Sequence, residues 1–410
     1  MQTSFAAGGF PLILIPISII AAIVLGILAA CKKVRWVLLF IPVGVGLFSI
    51  VAYIALNAGK IFPESYLDDS NSGPSISDTS EIEYVIYETD TWDGTSDTSW
   101  YTEGGKSFYI DTAEQFAGIS KLARQEKTFA GVKISLRVNM DMGGNEWVPI
   151  NEFEGTLQGN GATISNFTVN SSVTNYYHGL FAEQRGTIRN LHLRDFTVKG
   201  KYDVGALAAT NSGVLENCSA IGKVSAERSF TDTDGGTTIY VGGLVGINSG
   251  IIKNCYTGGT VQASSKSQYM YVKLYAHCGG IAASNSGMIE RTYSLASVTA
   301  STEGTNSSVG CYSYAGGICS VLTGTIKDSF AGGEVYVVVD VYQFGRDFGA
   351  AIGGVYARRS GEGAFENTYV LEGQVKTGVL VEELGTQVTV DPVSTLSGSE
   401  IEERLGISYK

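Results

Sequence analysis

The sequence predicts a mainly β chain folded as a right-handed parallel β-helix, and three observations carry that expectation. Residues 241–261, VGGLVGINSGIIKNCYTGGTV, align without a gap with residues 204–224, 278–298 and 315–335. Gly205, Gly242, Gly279, Gly316 and Gly353 recur at a constant interval of 37 residues, and a fixed period of that size marks a stack of repeated units. The 410 residues include 52 glycines and 22 tyrosines with only 17% charged residues, a mixture that suits short strands and tight turns.

The amino-terminal end reads as a membrane hairpin (residues 1–60). Residues 10–30 and 36–56 are two charge-free runs of 21 residues, each long enough to cross ~30 Å of hydrocarbon as a helix. Between them lie Lys32, Lys33 and Arg35. The positive-inside tendency puts that turn in the cytoplasm and everything after Lys60 outside. A cleaved signal peptide wants a basic start, which residues 1–9 lack. Leu28-Ala-Ala-Cys31 resembles a lipoprotein cleavage box, but a second span follows at once. The expected partner of this end is therefore the bilayer. The rest of the chain carries 24 basic and 40 acidic residues, a net −16 that repels phosphate backbones and excludes nucleic acid as a partner.

Residues 61–80 are rich in Ser, Asp, Gly and Pro and read as a flexible linker. Residues 81–150 hold short alternating strands and one amphipathic helix at about 111–127, opened by the capping signature Asp111-Thr-Ala-Glu114. That helix is expected to cover the open end of the stack, whose unpaired edges need a cap. Residues 151–376 form the coils, and residues 377–410 a second cap with a short helix opened by Ser399-Glu-Ile-Glu402.

Alignment of the coils gives columns. One runs Ile164, Ile188, Leu215, Ile252, Ile289, Ile326 and Phe365; another Leu157, Leu180, Leu207, Leu244, Ile281, Ile318 and Val355; a third Phe167, Leu191, Cys218, Cys255, Thr292 and Ser329. Equivalent residues on neighbouring coils should stack ~4.8 Å apart and fill one interior. The triplets at Asn211, Asn248 and Asn285 (Asn-Ser-Gly) fit turn corners whose asparagines ladder with their copies. Ile164 to Ile188 is a step of 24 and Ile188 to Leu215 one of 27, and only then does the step become 37, so the later coils carry inserts around 225–238, 262–276, 300–313 and 336–348. Their period-two alternation and common point of departure predict protruding hairpins, or a small second sheet, along one edge of the solenoid.

The segments resemble GLUG-motif repeats, found in bacterial surface proteins and in the solenoid of immunoglobulin-A-cleaving metallopeptidases. Gly243-Leu-Val-Gly246 is the motif, and Ile252-Lys-Asn-Cys-Tyr256 resembles its usual continuation. The lead-in is similar too: Tyr109-Ile-Asp-Thr-Ala-Glu-Gln-Phe116, Trp147-Val-Pro-Ile150 and the stretch 153–161, FEGTLQGNG. The resemblance covers roughly 107–375 and implies a β-helix on a bacterial surface, used in adhesion, with no catalytic residue. Ala206 and Ala208 in the first full repeat, and Val321-Leu-Thr-Gly324 in the fourth, depart from the motif.

Catalytic patterns are sparse. The histidines are His178, His192 and His277, and none belongs to the pair four apart with a glutamate between that a zinc peptidase needs. No cofactor or metal is expected. Cys278 holds the slot of Val204 and Val241 and reads as a small apolar residue. Cys218 and Cys255 share a column, so packed thiols and a bridge both stay open. Asp90 and Asp93 beside Trp92, and Asp232 with Asp234, read as acidic turns.

The candidate ligand-binding residues are aromatic: Tyr269, Tyr271, Tyr275, Tyr312, Tyr314, Tyr336 and Tyr342. Tyr275 lines up with Tyr312, and Tyr240 with His277 and Tyr314. Exposed tyrosines offer flat apolar area with a polar tip, suited to a glycan or a surface protein. The plainer reading is that they shield the inserts against the coil. A non-catalytic adhesion or ligand-binding module is the expectation, with a carbohydrate-active enzyme and a structural stalk as the alternatives.

Overall fold

The computed structural model describes residues 86–88, 90–172, 176–230, 238–269, 271–306, 308–341, 348–371, 378–380, 388–390, 395–397 and 399–400. The expected membrane hairpin and linker lie outside these, and among the described residues no helix is long and apolar enough to cross a membrane. The chain divides into Met1–Glu81 and Ile82–Lys410, and the β-solenoid belongs to the second unit.

Each winding runs through three walls of parallel strands. The first contains Asp203–Gly205, Thr238–Gly242, Lys273–Gly279, Gly310–Gly316 and Phe348–Gly353. The second contains Ala208–Asn211, Val245–Asn248, Ala282–Asn285, Cys319–Leu322 and Tyr356–Arg359. The third bends, as in Ile251–Lys253 followed by Tyr256–Ser267. Leu215, Ile252, Ile289, Ile326 and Phe365 pair in one register down the stack, so the column that the repeats predict is a physical file. The first four of these are fully buried.

Two details of the expected register are corrected. Ile188 pairs with Leu157, a step of 31, and Ile164 pairs with Leu193. Likewise Phe167 stacks on Phe196 rather than aligning with Leu191. The cause is a register shift between Arg189 and Leu191, which an alignment without gaps does not see.

The inserts are not protruding hairpins. Their arms lengthen the first and third walls. Ser219–Phe230 pairs along its whole length with Tyr256–Ser267 of the next winding, and Thr238–Gly242 pairs with residues 275–279. Among the described residues each arm bonds to the windings above and below instead of to its partner arm. A period-two pattern specifies a strand with two different faces, not which strand it pairs with.

The asparagine ladder is present and buried. Asn211 Nδ2 donates to Asn248 Oδ1 at 2.7 Å, and Asn248 Nδ2 to Asn285 Oδ1 at 2.7 Å. A second corner has no uniform residue type to announce it. Asn217, Asn254, Arg291, Asp328 and Asn367 all take left-handed φ between 44° and 52°. The next residue, Cys218, Cys255, Thr292, Ser329 or Thr368, hydrogen-bonds the carbonyl two positions back. Asparagine tolerates that conformation through local bonding, whereas a long side chain pays ~1–2 kcal/mol for it. Arg291→Asn should therefore raise the thermal midpoint, with a gain of about 1 kcal/mol in unfolding free energy by calorimetry.

Helix α1 (Ala113–Ala123) covers the amino-terminal end, and its cap sits one residue later than the sequence suggests. Thr112 accepts from the Gln115 amide, and the Gln115 side chain accepts from the Asp111 amide. Asp111 instead pairs with Arg137. Phe116 of α1 stacks on Trp147 at 5.2 Å, and Ser120 donates to the Val148 carbonyl, which fixes the helix on the first winding. At the other end the capping pair is Ser397 with Glu400, two residues before the expected one.

Candidate functional site

The outward positions of the first wall carry aromatic rings because every winding repeats its phase. Tyr240 stacks on His277 at 4.9 Å, and His277 on Tyr314 at 5.0 Å. Beside them Tyr275 stacks on Tyr312 at 4.7 Å, with Lys273 Nζ 5.8 Å from the Tyr312 centroid. The spacing of the rings is that of the windings. The rings lean against small residues: His277 Nδ1 lies 3.0 Å from Ser320 Oγ of the second wall, and Tyr314 packs with Ala357 of that wall and with Ala351, the next rung of its own file. Tyr314 and His277 are buried, while Tyr240, Tyr275 and Tyr312 are half-buried.

Of the predicted residues, the structure brings together Tyr275, Tyr312 and Tyr314. Tyr336 stands on the third wall, opposite Thr299, and its hydroxyl donates to Glu334 at 3.0 Å. Tyr269 and Tyr271 lie at the tip between the walls, and Tyr271 is 86% exposed with a left-handed φ of 65°. Tyr342 lies outside the described residues. The flat area expected of these tyrosines is mostly used up. In a stack, each ring covers the face of the next, so the wall presents ring edges except where a file ends. A second file, Tyr256, Tyr293 and Phe330, has the same form on the third wall at 5.2 and 4.9 Å. The 37-residue period could have revealed it.

Burial, helped by the charge of Arg358, pulls the His277 imidazole down to about 3. A lowered folded value means that His277 favours the fold fully above its ordinary pKa near 6.5, and that this contribution is lost as pH falls from there toward 3. His277→Tyr, which extends the tyrosines of its own file, should remove up to about 2 kcal/mol of the stability lost between pH 6.5 and 5. Unfolding midpoints of both proteins at the two pH values check this.

Asp203 occupies the same file, between Tyr177 and Tyr240 of the neighbouring windings. Burial pushes its carboxyl up to about 6, and burial first, then the Asp203 charge, raises both flanking phenols. Nothing in the sequence singles out Asp203, because its repeats are Tyr240, His277 and Tyr314 rather than acids.

The other candidates have structural explanations. Asp93 accepts from the Thr95 amide and hydroxyl, which closes a turn and lowers its pKa. Glu152 and Glu183 both pair with Arg185 at 2.6 Å. Asp232 and Asp234 lie outside the described residues. Cys218, Cys255, Cys278, Cys311 and Cys319 are buried free thiols. The Cys218 amide donates to Cys255 Sγ at 3.4 Å, the packed-thiol arrangement. Burial pushes the Cys278 thiol well up, away from nucleophilic use. Among the described residues, no group of three His, Cys, Asp or Glu side chains is placed to hold a metal ion.

No family model matches the chain, the GLUG repeat included. A "Putative Gly-rich membrane protein" of Evansella cellulosilytica is 36% identical over 152 residues, 34% of this chain and 18% of that protein. Halomucin of Haloquadratum walsbyi is 39% identical over 92 residues, 21% of this chain and 1% of halomucin. The chain thus spans less than a fifth of the length of either relative. Among solved structures, a "putative immunoglobulin A1 protease" from Bacteroides ovatus superposes with a TM-score of 0.51 at 20% identity, covering 73% of this chain and 87% of that one. At that identity the likeness is one of fold, and it agrees with the resemblance of the solenoid to immunoglobulin-A-cleaving proteins.

Proposed function

We propose that the protein is a surface adhesion or ligand-binding module, held in the bilayer by residues 1–60 with its β-solenoid outside the cell, and that it acts without catalysis. The observation that carries this reading is the first wall. Tyr240, His277 and Tyr314, with Tyr275 and Tyr312 beside them, repeat one chemistry at the spacing of the windings. With His277 and Tyr314 buried, the half-buried Tyr240, Tyr275 and Tyr312 offer a row of ring edges that suits an extended partner, a glycan chain or a surface protein, better than a compact substrate. One further point supports the membrane placement: the partial similarity to a protein described as a membrane protein.

The full chain in detergent, probed on an array of glycans and surface proteins, tests the reading. Tyr275→Ala with Tyr312→Ala should weaken the strongest binding by at least about tenfold, or 1.4 kcal/mol. Unchanged binding would remove the first wall from the account. Protease added to intact cells should digest the solenoid, and full protection would overturn its outward placement.

A further inference from the structure

We propose that Tyr177, Asp203 and Tyr240 form a slot that receives the side chain of a lysine from a partner protein, with the ammonium group on the Asp203 carboxylate. This deepens the reading of the first wall as a ligand-facing surface and rests on it.

Register places the three residues together. Asp203 pairs with Tyr177 on one side and Tyr240 on the other, so they are consecutive rungs of one outward file. Beyond Tyr240 the file is filled ring against ring, through His277 to Tyr314. At Asp203 a short acid replaces a ring. Its two aromatic neighbours are therefore two windings apart, about 9.6 Å at ~4.8 Å per strand. Tyr240 has His277 against one face, and its other face is turned toward Asp203.

The carboxylate itself is the second observation. Asp203 is half-buried, and among the described residues its side chain has neither a hydrogen bond nor an ion pair. Among the described residues no cation offsets its desolvation, and at pH 7 it is still mainly the anion. A partly desolvated charge without a partner is costly to the fold. The titratable groups that sense it or lie near it are Tyr177, Tyr240 and, beside Tyr177, Glu183. None of these is a cation.

The dimensions select the guest. A cation midway between the rings lies about 4.8 Å from each, inside the ~6 Å over which a ring face attracts it. A guanidinium sandwiched flat between two rings needs only ~7 Å, so this slot is too wide for arginine to touch both faces. A neutral sugar brings no charge to set against the Asp203 carboxylate, which an ammonium group does. A linear methylene stem with an ammonium head matches apolar sides and an acidic floor. The net charge of −16 beyond residue 60 draws such a partner in.

The test uses the full chain in detergent and measures binding by nuclear magnetic resonance. The probes are Nα-acetyl-lysine methylamide, its arginine counterpart and glucosamine. The lysine probe should bind at millimolar concentration, and Asp203→Asn, which keeps the shape, should weaken it at least tenfold. Tyr240→Leu should weaken it severalfold, and the arginine probe should bind less well than lysine. Equal binding by Asp203→Asn, or glucosamine matching lysine, would overturn the assignment. Tyr275→Ala should leave the lysine probe untouched while lowering array binding, so the two readings fail separately. A circular dichroism spectrum identical to the parent's confirms that each variant is folded.

Discussion

Gly279→Ala is expected to destabilise the solenoid by about 3 kcal/mol, while the same change at Gly258 is expected to be neutral or slightly stabilising. A Cβ on Gly279 would run into the carbonyl oxygen of Ala282 and approach Cys319 Cα of the next winding to 3.0 Å. Both are backbone atoms of paired strands that cannot turn aside. The corner between the first and second walls is so tight that backbone from two windings shares the space. At Gly258 the nearest atoms are Ile221 side-chain carbons at 3.6 and 3.7 Å, ordinary contact distances. Thermal midpoints of the two variants, measured side by side, check the contrast. Equal midpoints would mean that the corner relaxes freely.

The second large effect is expected at Asn248, the middle rung of the amide ladder. Asn248→Leu removes the acceptor of Asn211 Nδ2 and the donor to Asn285 Oδ1. Two buried polar groups are left short at roughly 1–3 kcal/mol each, so a loss of about 4 kcal/mol is expected. Changing Asn211, Asn248 and Asn285 to leucine together should cost much less than three times that amount, because the side-chain amides of these three rungs no longer wait for one another. The Gly213 amide is the backbone donor left short. The chain already places Leu322 in register with Asn285, so the file admits leucine. Urea midpoints of the single and triple variants decide the matter.

The stacking of windings is legible in the sequence because Gly205 to Gly353 never lose their phase. The same regularity makes Leu215, Ile252, Ile289 and Ile326 readable as one file. It fails where the repeat itself slips. Leu157, not Ile164, sits beside Ile188, since a bulge adds residues without leaving a pattern. The left-handed corner is hidden because Arg291 and Asp328 stand where Asn217 and Asn254 would have announced it. The inserts are recognisable as strands, but alternation does not say whether a strand turns back on itself or joins the next winding. For the candidate site, the period aligns Tyr275 with Tyr312 and Tyr240 with Tyr314. It cannot show that stacking uses up their faces, or that Asp203 interrupts the file of rings.

The lengthened third wall has a mechanical consequence. Ser219–Phe230 meets Tyr256–Ser267 through 12 residue pairs, whereas the earlier contact between residues 192–200 and Ser219–Ala226 is shorter and interrupted. The bonds joining windings point along the stack, so a pull from its two ends loads them in tension, one interface at a time. The narrow windings should part first and the broad ones hold. The solenoid would then yield gradually from one end, as a shock absorber does, and its broad windings would be the last to let go.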